Sequence, residues 1–224
     1  MGTYAAVVLA GGAARRMGGL DKPALPVGGR PMRDRVLAAV SDATPRVLVG
    51  AADAVPAGVR VVREDPPGGG PVAAAAAGLA LLDPDVSVVA LLAADLPLLT
   101  RAAIGELLKH LDRKSPDTEP PGGGLAPARP ARSGLDGERG PDGACFVDGD
   151  GRRQSLCGVW RVAALRAAVH RLTVERGGSL SGAPVRALLA GLVVREVAWS
   201  GEGPPPWFDC DTDEDVRRAE EWAR

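Results

Sequence analysis

The chain has 224 residues, of which 46% are hydrophobic and 25% are charged, and its formal net charge at pH 7 is -1. A chain of this length can bury a full hydrophobic core, so we expect one domain that spans residues 1–224. The balanced charge excludes a general electrostatic attraction to nucleic acid or to anionic membranes. A polyanionic ligand therefore has to be bound by a local cluster of basic groups, and we expect no nucleic-acid partner.

The sequence predicts a cytoplasmic protein without membrane contact. Residues 1–8 lack the basic start and long apolar core of a signal peptide, and no run approaches the ~20 apolar residues that a membrane helix needs. The three cysteines share no metal-binding spacing and are odd in number, which is typical of reduced thiols. These cysteines are Cys145, Cys157 and Cys210.

Short apolar strands alternate with helices in the first half of the chain. Continuous apolar runs predict buried strands, and apolar residues at helical spacing predict the helices between them. The predicted strands are residues 4–10, 46–49, 59–62 and 86–93. The predicted helices are residues 32–40, 71–82 and 100–111. This alternation predicts a three-layer α/β/α fold with a mostly parallel, twisted sheet.

The alternation stops at residues 114–141. Six of these 28 residues are proline and six are glycine, with only two large aliphatic side chains. Such a segment cannot form a packed core, so we expect a flexible insertion. A simple spacer and a lid over the functional site are both compatible with this composition.

The pattern of strands and helices resumes after the insertion. The predicted strands are residues 144–147, 156–162 and 193–199, and the predicted helices are residues 163–172 and 183–192. Thr212, followed three residues later by Asp215, predicts the capped start of a last helix.

A glycine-rich and basic segment directly follows the first predicted strand. In an open parallel sheet, ligands bind beyond the carboxyl ends of the strands. Glycines such as Gly11 and Gly12 let backbone N–H groups converge on an anion, and Arg16 and Lys22 add charges that pair with phosphate oxygens. The spacing matches neither of the two common phosphate-binding loops, the dinucleotide-binding glycine fingerprint and the P-loop. It predicts a phosphate site of another kind, with an ordinary surface turn as the alternative.

Asp95 is the first charged residue after the apolar run at residues 86–93. A carboxylate at the carboxyl end of this strand faces the same edge of the sheet as the glycine-rich segment. Magnesium prefers hard oxygen ligands and is commonly held by one or two carboxylates together with phosphate oxygens. Asp95 is therefore a candidate Mg²⁺ ligand, and a turn aspartate is the alternative.

The stretch LAGGAARRMGGLDKPALPVGGRPM, residues 9–32, resembles the signature of nucleotidyltransferases. It is most similar to the molybdenum cofactor guanylyltransferase family, which carries Leu-Ala-Gly-Gly, three residues, Arg-Met-Gly and then Asp-Lys. The resemblance covers most of the chain in pieces, except residues 114–141. It implies a Rossmann-like fold of the nucleotide-diphospho-sugar transferase type. It also implies Mg²⁺-dependent transfer of GMP from GTP to molybdopterin, with release of pyrophosphate.

The same resemblance implies roles for individual residues. Arg16 and Lys22 would neutralise the triphosphate during catalysis. Asp95 would bind the metal and the nucleotide. The residues that would wrap the nucleotide are Leu9, Ala10, Gly11 and Gly12.

Asp65 looks like a family aspartate that precedes a Gly-Pro-Leu-Ala-Gly segment and contributes to guanine binding. A carboxylate can accept hydrogen bonds from both N1–H and the exocyclic amine of guanine. A structural turn is the alternative for this residue. Residues 49–52 carry no asparagine where the family has one near the nucleotide, so the choice of guanine over another base stays open.

Asp209 and Asp211 stand where the family carries asparagines. Asp211 is a candidate second metal ligand, and a role at the start of the last helix is the alternative. Residues 152–154 resemble the acceptor side of the family site, with a solvated turn as the alternative.

Two other functions remain compatible with the sequence. One is the same chemistry with another base or acceptor, such as cytidylyl transfer to molybdopterin or to a small phosphorylated metabolite. The other is a nucleotide-binding module without turnover. For the guanylyltransferase, the expected partners are GTP and molybdopterin as small-molecule substrates, with transient contact to molybdoenzyme maturation proteins.

Overall fold

A computed structural model of the chain describes residues 3–11, 22–52, 55–113 and 140–223. Two predicted site residues, Gly12 and Arg16, lie outside the described residues. Most of the predicted flexible insertion at residues 114–141 also lies outside the described residues. The flexible insertion and the single domain therefore both stay predictions.

The described residues form strands, helices and one short 3-10 turn at Lys22–Ala24. The strands are β1 (Ala5–Leu9), β2 (Pro26–Val27), β3 (Arg30–Pro31), β4 (Arg46–Val49), β5 (Val59–Val62), β6 (Val88–Ala93), β7 (Gly143–Val147), β8 (Arg153–Arg161) and β9 (Val194–Ala198). The helices are α1 (Met32–Ala39), α2 (Pro71–Ala80), α3 (Arg101–Asp112), α4 (Val162–Glu175), α5 (Val185–Leu188) and α6 (Asp213–Trp222).

Seven strands form one sheet in the order β5-β4-β1-β6-β8-β7-β9, and β2 and β3 form a separate small hairpin. Strands β5, β4, β1 and β6 are parallel, β8 is antiparallel to both of its neighbours, and β7 and β9 are parallel to each other. Helices cover both faces, since one core cluster contains residues of α1 and α3 and the other contains residues of α2, α4 and α5. The predicted three-layer, mostly parallel fold is confirmed.

Strand β1 lies in the middle of this arrangement and is buried on both faces. Ala6 and Val8 pack into the core beneath α1 and α3, whereas Ala5, Val7 and Leu9 pack beneath α2 and α4. Alternate residues of a strand point to opposite faces of the sheet. A strand covered on both sides therefore has a continuous apolar sequence.

The order of the strands reverses at β1, and this reversal positions the functional site. From β1 the chain passes through α1 to β4 and then to β5 on one side, and α2 returns it to β6 on the other side. The Ala94 N–H donates a hydrogen bond of 3.0 Å to the Leu9 carbonyl, so the carboxyl ends of β6 and β1 are joined. Ligands of open α/β sheets bind at such a switch point.

The structure corrects several predicted boundaries. The predicted helix at residues 183–192 is reduced to the single turn α5, between Pro184 and Gly191, whose φ of 82° is in the left-handed region. Strand β8 begins at Arg153 rather than 156, because Arg153 pairs with Val147 across the turn. The β2–β3 hairpin was not predicted, since each strand has only two residues.

The predicted capping signal before the last helix is confirmed. The Thr212 side chain accepts a hydrogen bond from the Asp215 N–H at 3.2 Å, and the Asp215 carboxylate accepts one from the Thr212 N–H at 2.8 Å. This reciprocal pair is a capping box. It fixes the start of α6 and therefore the position of the residues just before it.

We expect Gly143→Ala to destabilise the protein by about 1–3 kcal/mol, because it overpacks the core. A Cβ atom at residue 143 would lie 2.1 Å from Cε3 of Trp160, which is fully buried. Gly149→Ala is the matched control, since a Cβ atom at residue 149 meets no atom within 4 Å. Urea denaturation measures both changes, and equal free energies of unfolding for the two variants would contradict the packing seen here.

Candidate active site

Three segments that are distant in sequence meet at the carboxyl edge of β1 and β6. Lys22 lies in the 3-10 turn, Asp95 follows β6 by two residues, and Asp211 precedes α6 by two residues. The Cys210 N–H donates a hydrogen bond of 3.3 Å to the Asp95 carbonyl, which ties the segment before α6 to the end of β6. The fold therefore brings together a lysine and two aspartates that span most of the chain.

The Lys22 ammonium lies between the two carboxylates. Its Nζ is 2.7 Å from Oδ2 of Asp95 and 2.6 Å from Oδ1 of Asp211. The side chains of Lys22 and Asp95 are 20% and 24% exposed, whereas that of Asp211 is 58% exposed. Lys22 and Asp95 thus form the half-buried part of the cluster, and Asp211 lies at its open side.

Lys22 is charged at neutral pH in this environment. Partial burial lowers the pKa of Lys22, but the hydrogen bonds with Asp211 and Asp95 and the charges of both carboxylates outweigh it, so the pKa is raised. An ammonium held in this way pairs with phosphate oxygens as a point charge. Lys22 is thus a fixed positive charge at the switch point of the sheet.

Asp209 adds a further carboxyl group to the neighbourhood. Partial burial raises the pKa of Asp209, and the negative charges of Asp211 and Asp95 raise it further against the opposing effect of Lys22. Three aspartates, Asp95, Asp209 and Asp211, therefore lie near one another at the carboxyl edge of β1 and β6.

The residues present fit a divalent metal ion together with phosphate oxygens. Asp95 and Asp211 contact the same nitrogen atom, so their carboxylates face a common space that holds a positive charge. Magnesium is commonly bound by one or two carboxylates plus substrate phosphates. Within residues 3–11, 22–52, 55–113 and 140–223, no group of three or more acidic, histidine or cysteine side chains could hold a metal alone.

Some backbone groups of the predicted nucleotide-binding residues already make hydrogen bonds to neighbouring strands of the sheet. The Ala10 N–H donates to the Val49 carbonyl at 2.8 Å, and the Leu9 carbonyl accepts from Ala94. Gly11 is the first exposed residue of the segment. Among the described residues of this segment, Gly11 is therefore the one most open to a ligand.

The predicted Asp65 is exposed in the loop after β5, but its neighbour Glu64 is buried and only 8% exposed. Oε1 of Glu64 accepts a hydrogen bond of 3.0 Å from the Gly68 N–H. The same oxygen would lie 3.2 Å from a Cβ atom built on Gly11. The carboxylate at the glycine segment is therefore that of Glu64, which was not predicted from the sequence; its position directly before Asp65 is the only signal that pointed to it.

Residue 152 ends the turn before β8, and residues 153 and 154 are the first two residues of that strand. Nε of Arg153 lies 2.7 Å from Oε1 of Glu196, and Nε2 of Gln154 donates to Oδ2 of Asp148 at 3.0 Å. Residues 152 and 153 are exposed, and the side chains of Arg153 and Gln154 are engaged in these contacts with neighbouring residues of the protein.

The fold and this cluster define a class of protein. A seven-stranded, mostly parallel sheet with helices on both faces is the α/β nucleotidyltransferase fold. Residues 6–190 match the family model described as the MobA-like NTP transferase domain. The chain therefore belongs to this family and is a nucleotidyltransferase.

Solved structures share this fold. One is 2-C-methyl-D-erythritol 4-phosphate cytidylyltransferase from Thermus thermophilus, with a TM-score of 0.64, 18% identity and coverage of 99% of both chains. Another is molybdopterin-guanine dinucleotide biosynthesis protein A from Archaeoglobus fulgidus, with a TM-score of 0.64, 18% identity and coverage of 96% of both chains. No curated protein matches the sequence.

The helices of the described ranges do not meet the requirements of a membrane span. None of them is both long enough and apolar enough to cross a bilayer.

Proposed function

We propose that the protein transfers GMP from GTP to molybdopterin, with release of pyrophosphate and with Mg²⁺ as cofactor. The observation that carries the proposal is the contact of Lys22 with Asp95 and Asp211 at the switch point of the sheet. Membership of the MobA-like family and the shared fold of the Archaeoglobus fulgidus protein support the choice of substrates. The proposal includes a cytoplasmic location and transient contact with molybdoenzyme maturation proteins that receive the product.

In this proposal, Lys22 is the main positive charge of the described site. The triphosphate lies against the ammonium, which leaves its contacts with the carboxylates to pair with phosphate oxygens. Negative charge builds up on the leaving pyrophosphate during the reaction, and a fixed cation stabilises that charge. Arg16, from the same glycine-rich segment, is proposed to assist on the triphosphate.

Asp95 is proposed to hold the metal, and Asp211 is proposed as a second ligand from its more exposed position. Bound Mg²⁺ would polarise the phosphate oxygens and offset their charge. Asp95 is held for this task by its backbone, because its carbonyl accepts the hydrogen bond from Cys210.

The proposed reaction needs no general base from the protein. A phosphate monoester is already ionised near neutral pH, because its second pKa is about 6. An oxygen of the molybdopterin phosphate attacks the α-phosphorus of GTP, and the bond to the pyrophosphate oxygen breaks. The protein contributes orientation of the two substrates and stabilisation of charge.

A second candidate is transfer of CMP from CTP to a small phosphorylated acceptor. The observation in its favour is the equally similar fold of the cytidylyltransferase from Thermus thermophilus. The absence of an asparagine in residues 49–52 also fits a base other than guanine.

A panel of labelled nucleotides separates the two candidates. We expect GTP, incubated with molybdopterin, Mg²⁺ and the protein, to give a dinucleotide product. We expect kcat/KM for GTP to exceed that for CTP, ATP or UTP by about 10-fold or more, since an unpaired polar edge in the base site costs about 1.4 kcal/mol or more. Omission of Mg²⁺ is the control. Product from CTP alone, or only with a phosphorylated sugar alcohol as acceptor, would overturn the choice of GTP and molybdopterin.

A further inference from the structure

We infer that Lys22 keeps free metal ions out of the site until a nucleotide binds: its ammonium holds the Asp95 and Asp211 carboxylates in the free protein, and phosphate oxygens draw it away. This inference rests on the proposed function, since it takes a metal ion and a nucleoside triphosphate as the ligands of the site. It goes further because it makes Lys22 the residue that couples the binding of these two ligands.

The contacts of Lys22 are the first observation in favour of this role. Its Nζ lies 2.7 Å from Oδ2 of Asp95 and 2.6 Å from Oδ1 of Asp211. Hydrogen bonds between charged partners at such distances are shorter and stronger than those between neutral groups. One positive charge therefore already uses an oxygen of each proposed metal ligand.

A metal ion and the ammonium compete for these two oxygens. Magnesium binds carboxylate oxygens at about 2.0–2.1 Å, so a metal on either oxygen would lie within about 5 Å of Nζ. Two positive charges at that separation repel each other, and the repulsion grows as the surroundings become less like water. The side chains of Lys22 and Asp95 are only 20% and 24% exposed. The ammonium therefore lowers the affinity of the free protein for a metal.

The free protein also offers few other ligands to a metal ion. Within residues 3–11, 22–52, 55–113 and 140–223, no group of three or more acidic, histidine or cysteine side chains could hold one. Magnesium demands a near-octahedral set of ligands and is commonly bound by one or two carboxylates together with substrate phosphates. A triphosphate supplies the missing oxygens and, at the same time, a new partner for the ammonium.

Lys22 is suited to change partners, whereas the backbone holds the two aspartates in place. Lysine carries a compact charge on a flexible four-carbon stem. The Asp95 carbonyl accepts a hydrogen bond of 3.3 Å from the Cys210 N–H. The Asp211 N–H donates a hydrogen bond of 3.1 Å to Oδ2 of Asp215. The ammonium can therefore move to a phosphate while the carboxylates stay where a metal would need them.

The test measures the binding of Mn²⁺ to the nucleotide-free protein by electron paramagnetic resonance. Manganese suits the same carboxylate ligands as magnesium. We expect K22M to bind Mn²⁺ about 10-fold more tightly than the wild type, which is the effect of one unit charge about 5 Å from a divalent ion even at the dielectric constant of water. K109M is the matched control, because it removes an exposed lysine charge on α3, and it should bind Mn²⁺ like the wild type.

Two further variants assign the gain to the charge of Lys22 and to the proposed ligands. K22R keeps a positive charge and should bind Mn²⁺ like the wild type. K22M/D95N also lacks one carboxylate and should lose the gain. If K22M fails to fold in a thermal melt, K22Q takes its place with the same expected gain. A purely structural role of Lys22 would not make any variant bind metal more tightly.

The nucleotide should open the site in the wild type. Addition of the nucleotide that the wild type prefers, without an acceptor, should produce the signal of protein-bound Mn²⁺. Absence of that signal would overturn the inference, and so would equal affinities of K22M and the wild type for free Mn²⁺. A gain that also appears in K22R, or that survives in K22M/D95N, would contradict it as well, because the charge or the carboxylates would then not be its cause.

Failure of the proposed function would give a different set of results. The titration of the nucleotide-free protein contains neither nucleotide nor acceptor, so its outcome does not depend on which base the protein selects. If the wild type prefers CTP, the choice of GTP and molybdopterin fails, whereas a gain of Mn²⁺ binding in K22M still supports the role of Lys22. If GTP and molybdopterin give product but K22M shows no gain, only the inference fails.

Discussion

Replacement of Lys22 by methionine is expected to lower kcat/KM for the nucleotide by about 10²–10³-fold, the range found when one donor that stabilises transition-state charge is removed. Methionine keeps the apolar stem of the side chain but carries no charge. In the protein, the ammonium contacts both Asp95 and Asp211. The variant lacks the cation for the triphosphate and leaves two carboxylates facing each other, which further repels the nucleotide.

Fold stability should change far less than activity. Lys22 and its partners are partly exposed, and ion pairs in contact with solvent contribute about 0–1 kcal/mol to stability. Lys109→Met is the matched control, because Lys109 is exposed on α3. Pyrophosphate release and nucleotide titration measure the effect. A K22M variant that binds and turns over the nucleotide like K109M would show that Lys22 does not contact the triphosphate.

The central part of the fold could be predicted because each element carries its own signal. Strands β1, β4 and β6 are buried on both faces, so their sequences are apolar runs, apart from Arg46 at the start of β4. The alanine-rich helix α2 also follows from its composition: a Cβ atom on Gly78 would lie 2.4 Å from Cγ1 of Val7, which shows how closely this helix packs on the sheet. Local pattern and tertiary packing agree in these elements.

The antiparallel part of the sheet could not be read from local patterns. Strand β8 lies between β6 and β7 and is antiparallel to both. Its pairing with β7 is a local hairpin, but its pairing with β6 joins residues far apart in the chain, such as Leu92 and Cys157. The helix predicted at residues 183–192 failed for a different reason. Its apolar residues have helical spacing, but Pro184 and Gly191 limit it to one turn.

The site shows the same division between local and long-range information. Lys22 and Asp95 each follow a predicted buried strand, so their common edge of the sheet could be predicted. The position of Asp211 depends on the packing of the segment before α6, 189 residues after Lys22. The choice between Glu64 and Asp65 depends on which carboxylate turns inwards, and two adjacent acids do not reveal that in sequence.

Asp95→Asn is expected to reduce product formation by about 10³-fold, because it removes the negative charge that we propose holds the metal beside the phosphates. Asparagine has nearly the same shape, and the hydrogen bond from Cys210 to the backbone carbonyl of residue 95 does not depend on the side chain. The fold should therefore be kept. Binding of Mn²⁺ in the presence of GTP, followed by electron paramagnetic resonance, gives a readout that is independent of turnover.

Asp211→Asn tests the relative importance of the two aspartates, since both contact the Lys22 ammonium but differ in exposure. Asp211 is 58% exposed and Asp95 only 24%. Water screens the more exposed carboxylate and competes for its ligand, so we expect D211N to lose only about 10-fold in activity and in Mn²⁺ affinity. Losses in D211N that equal or exceed those in D95N would make Asp211 the principal ligand. The metal would then be held by the segment before α6 rather than by the end of β6, and the capping box at Thr212 would become part of the metal site.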